Sequence, residues 1–120
     1  MIRAINLQGT TDASGDLVVS AGNQITGALY AVEWIDGAFA DGVDAVLSVD
    51  RDGGAADVTL LTLTDANVDK IYYPLVLSQD NAGADIATEY TRQIVNGTLK
   101  LTVSSGGAAK SGGAIVYVEA

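Results

Sequence analysis

The strongest constraint on the fold is an alternation of apolar and polar residues, repeated in short runs. In residues 98–104, Leu99, Leu101 and Val103 alternate with threonine, lysine and serine, and residues 43–50 repeat the pattern. Successive side chains of a β-strand point to opposite faces of its sheet, so a period of two predicts half-buried strands. No window of ten or more residues carries a helical apolar stripe with capping residues. The sequence therefore predicts an all-β protein.

Turn residues separate these runs and set the strand lengths. The Asn-Gly pair at 96–97 predicts a two-residue hairpin turn, because both residues tolerate positive φ. The Asp-Gly-Gly run at 52–54 predicts another turn, and the glycine pairs at 106–107 and 112–113 bracket a longer loop. This spacing predicts a single β-domain over residues 1–120, a compact β-sandwich or jelly-roll-like barrel of about eight short antiparallel strands. The predicted strands cover residues 2–7, 16–20, 25–35, 43–50, 58–64, 70–77, 90–95, 98–104 and 114–119.

Two segments are expected at the edges of the sheets. The only proline, Pro74, lies within the predicted strand 70–77. Because proline cannot donate to a strand ladder, this segment is predicted to be an edge strand or to carry a bulge. Residues 1–7 are predicted to form an N-terminal arm or an edge strand of the domain. The run 25–35 is apolar on both faces, so it is predicted to lie inside a sheet.

The composition indicates a thin core and an acidic surface. Apolar residues make up 48% of the chain, but the aromatic residues are limited to one Trp, one Phe and five Tyr. Contact with another subunit can bury what such a monomer cannot, so oligomerisation is expected. The formal net charge is −9, with six basic residues dispersed along the chain. Nucleic-acid binders need clustered Lys and Arg, so no nucleic-acid partner is expected.

Neither an export signal nor a membrane segment is expected. Residues 1–6 lack the apolar core of a signal peptide. No apolar run approaches the roughly 18 residues that a membrane helix needs. The expectation is synthesis in the cytoplasm without a membrane partner.

The chain contains neither cysteine nor histidine, which excludes several classes of chemistry. Without thiols there are no disulfides, zinc–thiolate sites or iron–sulfur clusters. Without imidazole, Ser-His-Asp and Cys-His catalysis are excluded. A hydrolase with paired carboxylates is the remaining enzymatic hypothesis, but the only glutamates, Glu33, Glu89 and Glu119, lie far apart in the sequence. We therefore expect a protein that is not an enzyme, with no catalytic residues and no cofactor.

A first acidic motif has the alternating oxygen ligands that open a calcium loop. Asp65, Asn67 and Asp69 occupy these alternate positions. An EF-hand requires glycine at its sixth loop position and glutamate at its twelfth, and here these are Lys70 and Val76. The motif therefore fails, and no metal is predicted. An Asx turn, in which Asp65 or Asn67 bonds its own backbone, explains these residues better.

A second acidic group lies in and beside two turns. It would form a cation site if the loops 36–44 and 50–57 met at one end of the domain. The alternative, favoured because Asp is a common turn residue, is a set of solvated turn side chains. The group consists of Asp36, Asp41, Asp44, Asp50, Asp52 and Asp57.

Two further features are candidates for binding. The Lys110-Ser111 pair follows glycines as in a phosphate loop, but the glycine spacing and the following helix of that motif are missing. The loop 105–113 is predicted instead to be flexible, and the functional version of this interpretation is a loop that becomes ordered against a partner. Aromatic side chains could form a sugar-stacking platform, although core or interface anchoring is the commoner role. The candidates are Tyr30, Trp34, Tyr72, Tyr73 and Tyr90.

The segment from Asp57 to Pro74 joins a threonine-rich strand to an Asn-x-Asp turn and a Tyr-Tyr-Pro strand. This order resembles a segment of small head-associated proteins of tailed bacteriophages. The end of the chain, with residues 99–104, a glycine-rich loop and residues 115–119, is similar to their closing hairpin. The resemblance covers about half of the chain.

The resemblance implies a non-enzymatic virion structural protein that decorates and stabilises the outer surface of a tailed-phage capsid by bridging capsid subunits. It implies the major capsid protein as partner and a location on the virion exterior after synthesis in the host cytoplasm. A homotrimer is expected, because icosahedral shells offer threefold positions. The alternative is a host-facing carbohydrate- or receptor-binding module of a head fibre or tail. The interface residues expected from exposure and edge position are Met1, Ile2, Arg3, Tyr72, Tyr73, Pro74 and Lys110.

Overall fold

Antiparallel strands make up the regular structure of this chain. The computed structural model describes residues 1–51 and 55–120. In these ranges there are ten strands, which confirms the all-β prediction and exceeds the expected number of about eight. The predicted turn at 52–54 lies outside the described residues. No helix in the described ranges is long and apolar enough to cross a membrane. The strands are β1 (Ile2–Thr10), β2 (Leu17–Ser20), β3 (Ile25–Ile35), β4 (Asp44–Asp50), β5 (Val58–Leu63), β6 (Lys70–Tyr72), β7 (Leu75–Gln79), β8 (Asp85–Arg92), β9 (Ile94–Ser104) and β10 (Ser111–Glu119).

Eight of these strands form two layers that share the long strand β9. One layer has the order β1-β10-β3, with β6 and the first part of β9 beside β3. The other layer has the order β2-β9-β4-β5. β9 belongs to both layers because residues 94–97 pair with β3 and residues 98–104 pair with β4. The apolar faces of both layers meet in one core.

β9 passes from one layer to the other at Gly97. The φ of Gly97 is +146°, and a Cβ added there would overlap the carbonyl oxygen of Asp50. The predicted hairpin turn at 96–97 is therefore wrong, since both residues lie inside β9 and register with Thr26 and Ile25. The Asn-Gly pair marks a position that needs glycine, and here that position is a bend in a continuous strand.

The last strand, β10, does not form the closing hairpin with β9 that the resemblance implied. β10 pairs with β1 and β3, so β3 lies between β9 and β10 in the sheet. The glycine pair at 112–113 lies within β10, which shortens the predicted loop to residues 105–110. This loop is bound by neighbouring loops: Thr11 N–H donates to the Lys110 carbonyl and Ala40 N–H to the Gly106 carbonyl, both at 2.9 Å.

The core is built from alternating residues of both layers around one tryptophan. Trp34 is fully buried, stacks on Phe39 at 5.6 Å between ring centroids, and donates its indole N–H to the Ala66 carbonyl at 2.8 Å. The register of the β4–β5 ladder shifts between Leu47 and Ser48, so Leu60 is the extra residue of β5, and its side chain is buried in the core.

The two segments expected at sheet edges are residues 1–7 and the segment that contains Pro74. β1 pairs with β10 along its whole length and forms one end of the strand order, so residues 2–10 are an edge strand and not a detached arm. Pro74 lies between β6 and β7, where no ladder donor is required. β7 and β8 form a separate two-stranded sheet, which is called the β7–β8 hairpin below.

Candidate functional site

The β7–β8 hairpin is the most exposed regular element of the described chain. Leu75, Val76 and Tyr90 are exposed, and no residue of either strand is fully buried. The two strands register at only four positions, and residues 86–89 of β8 have no partner in β7. An isolated two-stranded ribbon is marginally stable in water. The exposed apolar side chains make this hairpin a candidate contact surface.

Gln93 fixes the base of the hairpin to both layers. Its backbone carbonyl accepts from the Leu29 N–H of β3 at 2.8 Å. Its side-chain amide donates to the Leu60 carbonyl of β5, also at 2.8 Å. The hairpin therefore leaves the body at a defined position.

A chain of side-chain contacts links the base of the hairpin to the N-terminal strand. The rings of Tyr73 and Tyr30 meet edge to face with centroids 6.2 Å apart. The guanidinium of Arg92 lies 4.6 Å from the Tyr30 ring centroid and 3.1 Å from the Glu119 carboxylate. Glu119 registers with Ile2 of β1. Leu75 of β7 registers with Arg92. We call this set the Tyr30 surface; it consists of Ile2, Tyr30, Tyr73, Leu75, Arg92 and Glu119.

A β-bulge brings Tyr30 to this surface. Tyr117 registers with Ala31 and Val118 with Leu29, so Tyr30 is the extra residue of β3. A bulge rotates the side chains that follow it and re-aims the extra residue. The Tyr30 ring is consequently 36% exposed in a strand whose neighbours Leu29 and Ala31 are buried.

The predicted interface residues fall into three places in the chain: residues 1–3, residues 72–74 and Lys110. The structure brings residues of the first two places together. Ile2 and Tyr73 belong to the Tyr30 surface, and the exposed Met1 adjoins it through the pairing of its amino group with the Ala120 carbonyl at 3.2 Å. Arg3 is also exposed on β1. Lys110 lies at the other end of the nine-residue β1–β10 ladder, roughly 27 Å away at the usual strand rise.

The remaining two predicted interface residues, Tyr72 and Pro74, are less exposed for contact with a partner. Tyr72 points inward and packs against the core, opposite Val32 of β3. Its ring also lies 5.0 Å from the Lys70 ammonium. Pro74 is half-buried. Period-two alternation explains the difference, because the neighbour Tyr73 points away from the core that receives Tyr72.

The predicted sugar-stacking platform does not form from its five aromatic residues. Trp34 is fully buried against Phe39, so its ring presents no face to solvent. Tyr73 and Tyr90 are both 62% exposed and remain available for contact. The sequence alone could not separate them, since all five lie in apolar or alternating runs.

The calcium-like motif serves to connect two loops. Asn67 accepts the Gly42 N–H at 2.7 Å, and Asp69 accepts the Asp36 N–H at 2.8 Å. Asp65 has a φ of +51°, and its N–H donates to the Asp44 carboxylate at 3.0 Å. The Asn67 and Asp69 side chains and the Asp65 backbone thus bind the 36–44 loop, where an Asx turn of Asp65 or Asn67 on its own backbone was expected.

The second acidic group does not assemble. The loop 36–44 precedes β4 and the loop 50–57 follows it, so the two loops lie at opposite ends of a seven-residue strand. In the described ranges no group of three acidic residues is placed to hold a metal ion. Asp52 lies outside the described residues. The condition for a cation site, a shared end for the two loops, is therefore not met, because one extended strand separates them.

Two carboxylates in these loops have opposite electrostatic environments. Partial burial, followed by the nearby carboxylates of Asp41 and Asp69, raises the pKa of Asp36 above its ordinary value. The Asp36 Oδ1 is buried without a hydrogen-bond partner. A hydrogen bond of 2.9 Å from Lys100 lowers the pKa of Asp57 and raises the pKa of Lys100.

The glutamates occupy separate environments. Glu33 accepts the Tyr117 hydroxyl at 3.0 Å, and this hydrogen bond raises the pKa of Tyr117. Glu119 is paired with Arg92, and Glu89 is exposed on β8. The Tyr117–Glu33 hydrogen bond joins β10 to β3, and the Arg92–Glu119 pair joins β8 to β10.

Sequence reasoning missed Leu75, Arg92 and Glu119 as members of the candidate surface. Leu75, Val76 and Leu77 form a consecutive apolar run that breaks the alternation of the other strands. Such a run in a strand with no buried face is a signal of an interface. Arg92 and Glu119 lie 27 residues apart in sequence, and no local pattern connects them.

A scan against protein-family models, a search of curated proteins and a search of solved structures each gave no significant match.

Proposed function

We propose that this protein is a non-enzymatic virion structural protein that decorates and stabilises the outer surface of a tailed-phage capsid by bridging capsid subunits. The observation that carries the proposal is the Tyr30 surface, an exposed aromatic and apolar patch on the two-layered β-structure. Protein interfaces are enriched in Tyr and Arg at their centres. Both residue types meet here at Tyr30, Tyr73 and Arg92.

Two sequence features supplement this observation. The Asp57–Pro74 and C-terminal segments resemble phage head-associated proteins. The net charge of −9 disfavours the DNA-lined inner side of a shell, where like charges repel. An outer position with the major capsid protein as partner fits both features.

Many weak contacts on a symmetric shell add through avidity. A homotrimer at threefold positions would present three Tyr30 surfaces at once. Light scattering of the purified protein should then give a mass near three times the 12.2 kDa of one chain. A mass of one chain at micromolar concentration would contradict a trimer in solution.

The direct test compares virions with and without the protein. Virions that lack it should rupture at lower temperature and on milder osmotic shock than complete virions. Adding purified protein back should restore stability, and the Tyr73→Asp variant should fail to do so, because a charge would enter the interface. Equal rupture with and without the protein would refute the proposal.

A matched control is available on β2. Val18 is 62% exposed, like Tyr73, and lies in the other layer. Val18→Asp introduces the same charge outside the Tyr30 surface and should restore stability like the unchanged protein. Failure of both variants would show that added charge, and not loss of this surface, prevents binding.

The alternative function is a host-facing carbohydrate- or receptor-binding module of a head fibre or tail. One observation favours it, the exposure of the Tyr73 and Tyr90 rings, which could stack on sugars. A glycan array with selective binding that Tyr73→Ala abolishes would support this alternative. An array without selective binding would leave capsid decoration as the function.

A further inference from the structure

The outer edge of β1 is a long strand edge without protection. β1 ends the strand order of the first layer and, in the described structure, pairs only with β10. Its ladder runs over nine residues without a shift in register. The strand contains no proline, and its one charged side chain, Arg3, lies near one end. Proteins usually block such edges by shortness, bulges, proline or charge, because an open edge pairs with another strand.

The other outer edges of the two layers are blocked in one of these ways. β2 has only four residues, and β6 has three, with Pro74 shortly after it. β5 carries a shift in register, and the Gln93 side-chain amide donates to its Leu60 carbonyl. Among the described strands of the two layers, β1 is therefore the one with a long, regular and open edge.

The hydrogen bonds at both ends of β1 show which backbone groups face outward. Met1 exchanges two bonds with Ala120, at 3.1 and 3.2 Å, and the Thr11 N–H donates to the Lys110 carbonyl at 2.9 Å. Bonded and non-bonded pairs alternate along an antiparallel ladder, so the odd-numbered residues of β1 bond β10. The even-numbered residues direct their N–H and C=O groups to the open edge. These residues are Ile2, Ala4, Asn6, Gln8 and Thr10.

The outward groups are symmetric about Asn6, so a second β1 fits this edge along its whole length. In an antiparallel pair with a twofold axis at Asn6, Ile2 lies opposite Thr10 of the second copy and Ala4 opposite Gln8. All five even-numbered residues then exchange backbone hydrogen bonds at once. Any shifted register leaves some of these groups unpaired. A contact of this kind is isologous, as in most homodimers.

The local charges are compatible with a second copy. β1 has no carboxylate, although the chain carries a net charge of −9. In the twofold register, the two Arg3 side chains are six positions apart, roughly 20 Å at the usual strand rise. This separation exceeds the screening length of about 8 Å in physiological salt. The pairing therefore places no like charges side by side, and the repulsion between the two net charges acts only through screened distances.

We infer that two copies of this chain bind each other by antiparallel pairing of their β1 strands about Asn6, which joins their first layers into one continuous sheet. The pairing uses the backbone edge and leaves the Ile2 side chain on the Tyr30 surface. It is compatible with a homotrimer, because threefold contacts elsewhere leave β1 of each subunit free to link neighbouring trimers. With nine residues a side the contact is smaller than a stable interface of about 20–30 residues, so it is weak in dilute solution.

The probe is disulfide trapping, for which the chain is suited because it contains no cysteine. In the twofold register the two residues 6 form a bonded pair with Cα atoms about 5.5 Å apart, within the range of a disulfide. The Asn6→Cys variant, oxidised at about 1 mM, should give linked pairs of chains on a non-reducing denaturing gel. Thr10→Cys is the matched control, because its two cysteines would lie roughly 27 Å apart. Asn6→Cys should cross-link at least about tenfold faster than this control.

A mixture of two variants tests the register. Ile2→Cys and Thr10→Cys lie opposite each other in the pairing, while each is far from its own copy. The mixture should form mixed pairs at least about tenfold faster than either variant forms pairs alone. Mass spectrometry of the intact disulfide-linked pairs separates mixed pairs from identical ones.

A proline tests whether the backbone edge makes the contact. The N–H of Ala4 faces outward, so Ala4→Pro removes a donor of the pairing and none of the β1–β10 ladder. In the Asn6→Cys chain it should slow cross-linking by about tenfold, whereas Ala4→Thr, which keeps the N–H, should leave the rate within about twofold. Thermal unfolding checks that both variants remain folded.

Every outcome decides the inference. Fast cross-linking of Asn6→Cys that Ala4→Pro slows, together with excess mixed pairs, supports it. Cross-linking of Asn6→Cys no faster than that of Thr10→Cys overturns it and leaves the edge to a strand of another protein. The absence of excess mixed pairs, or an unchanged rate with Ala4→Pro, overturns it as well. Capsid decoration is decided separately by the rupture of virions, so failure of one proposal is distinguishable from failure of the other.

Discussion

The two layers of the body and the β7–β8 hairpin use the same residue types in opposite ways. In the body, Trp34, Leu47 and Leu99 are almost fully buried, and the ladders continue from strand to strand. In the hairpin, Leu75 and Tyr90 are exposed and the ladder holds only four registered pairs. The body therefore supplies the folding free energy, and the hairpin presents apolar surface for contact. Interaction elements commonly belong to the less stable parts of a protein.

The difference begins in the strand patterns. β9 alternates apolar and polar residues, so one face enters the core and the other meets solvent. β7 begins with Leu75, Val76 and Leu77, so both of its faces are apolar, and in the described sheets it pairs only with β8. A strand that is apolar on both faces needs cover on both faces. We propose that a partner covers the exposed apolar face of the hairpin.

The largest expected effect contrasts Trp34 with Tyr90. Trp34→Ala removes a fully buried ring and its hydrogen bond to Ala66, and should lower the free energy of unfolding by about 3–5 kcal/mol. Tyr90→Ala should change it by less than about 0.5 kcal/mol, because Tyr90 is exposed on the hairpin. Urea denaturation measures both. Similar losses for the two variants would show that the hairpin contributes to the core.

The next effect concerns the bend that joins the layers. Gly97→Ala places a Cβ against the Asp50 carbonyl at a φ that favours glycine, and should cost about 1–3 kcal/mol. Gly22→Ala, in the turn between β2 and β3, meets no atom within 4 Å and should be within about 0.5 kcal/mol of the unchanged protein. Thermal unfolding of both variants makes the comparison. Equal stability would argue against a strained crossing of β9 between layers.

Shortening the hairpin should have a smaller effect than either change in the body. Val76 and Thr91 are cross-strand partners, so residues 77–90 can be replaced by a two-residue Asn-Gly turn. The free energy of unfolding should then change by less than about 1 kcal/mol, because few body contacts are lost.

Hydrogen exchange of the full chain checks the same point. Amides of β7 should exchange faster than those of β9, through local opening that leaves the body folded. Equal protection of the two strands would indicate that the hairpin unfolds only together with the body.

The smallest effects are electrostatic and have opposite signs at Asp36 and Asp57. The pKa of Asp36 is raised in the fold, so its ionised form destabilises the protein above the ordinary carboxyl pKa. Asp36→Asn should therefore raise Tm at pH 7. The pKa of Asp57 is lowered, so its contribution to stability is present above the ordinary pKa and disappears as the pH falls through the folded pKa. Asp57→Asn should lower Tm at pH 7.

Both differences should shrink as the solution is acidified, because the unchanged carboxylates become protonated and resemble the amides. The Asp57 effect should also decrease in about 1 M salt, since Asp57 and Lys100 are both partly exposed. Shifts in Tm that persist unchanged at low pH would assign the effects to packing and not to charge.

The sequence predicted the class of the fold and most strands of the body. The alternation in residues 98–104 and 43–50 correctly gave β9 and β4, because each of these strands has one buried and one open face. The prediction of a hairpin turn at the Asn-Gly pair 96–97 was wrong, because residues that tolerate positive φ can lie either in a turn or in a bent strand. The pairing of β10 with β3 could not be predicted from the sequence, because it depends on contacts between residues about eighty positions apart along the chain.

For the candidate surface, local chemistry indicated which side chains were suited to contact, and Tyr73 and Ile2 were among them. Tyr73 and Ile2 lie on one surface because Tyr30, Arg92 and Glu119 connect them. That arrangement depends on a bulge in β3 and on the pairing of β1 with β10. Alternation is a property of neighbouring residues, and it can be read from the chain. Adjacency between strands is set by the shared burial of many distant side chains, and it exists only once the layers have packed.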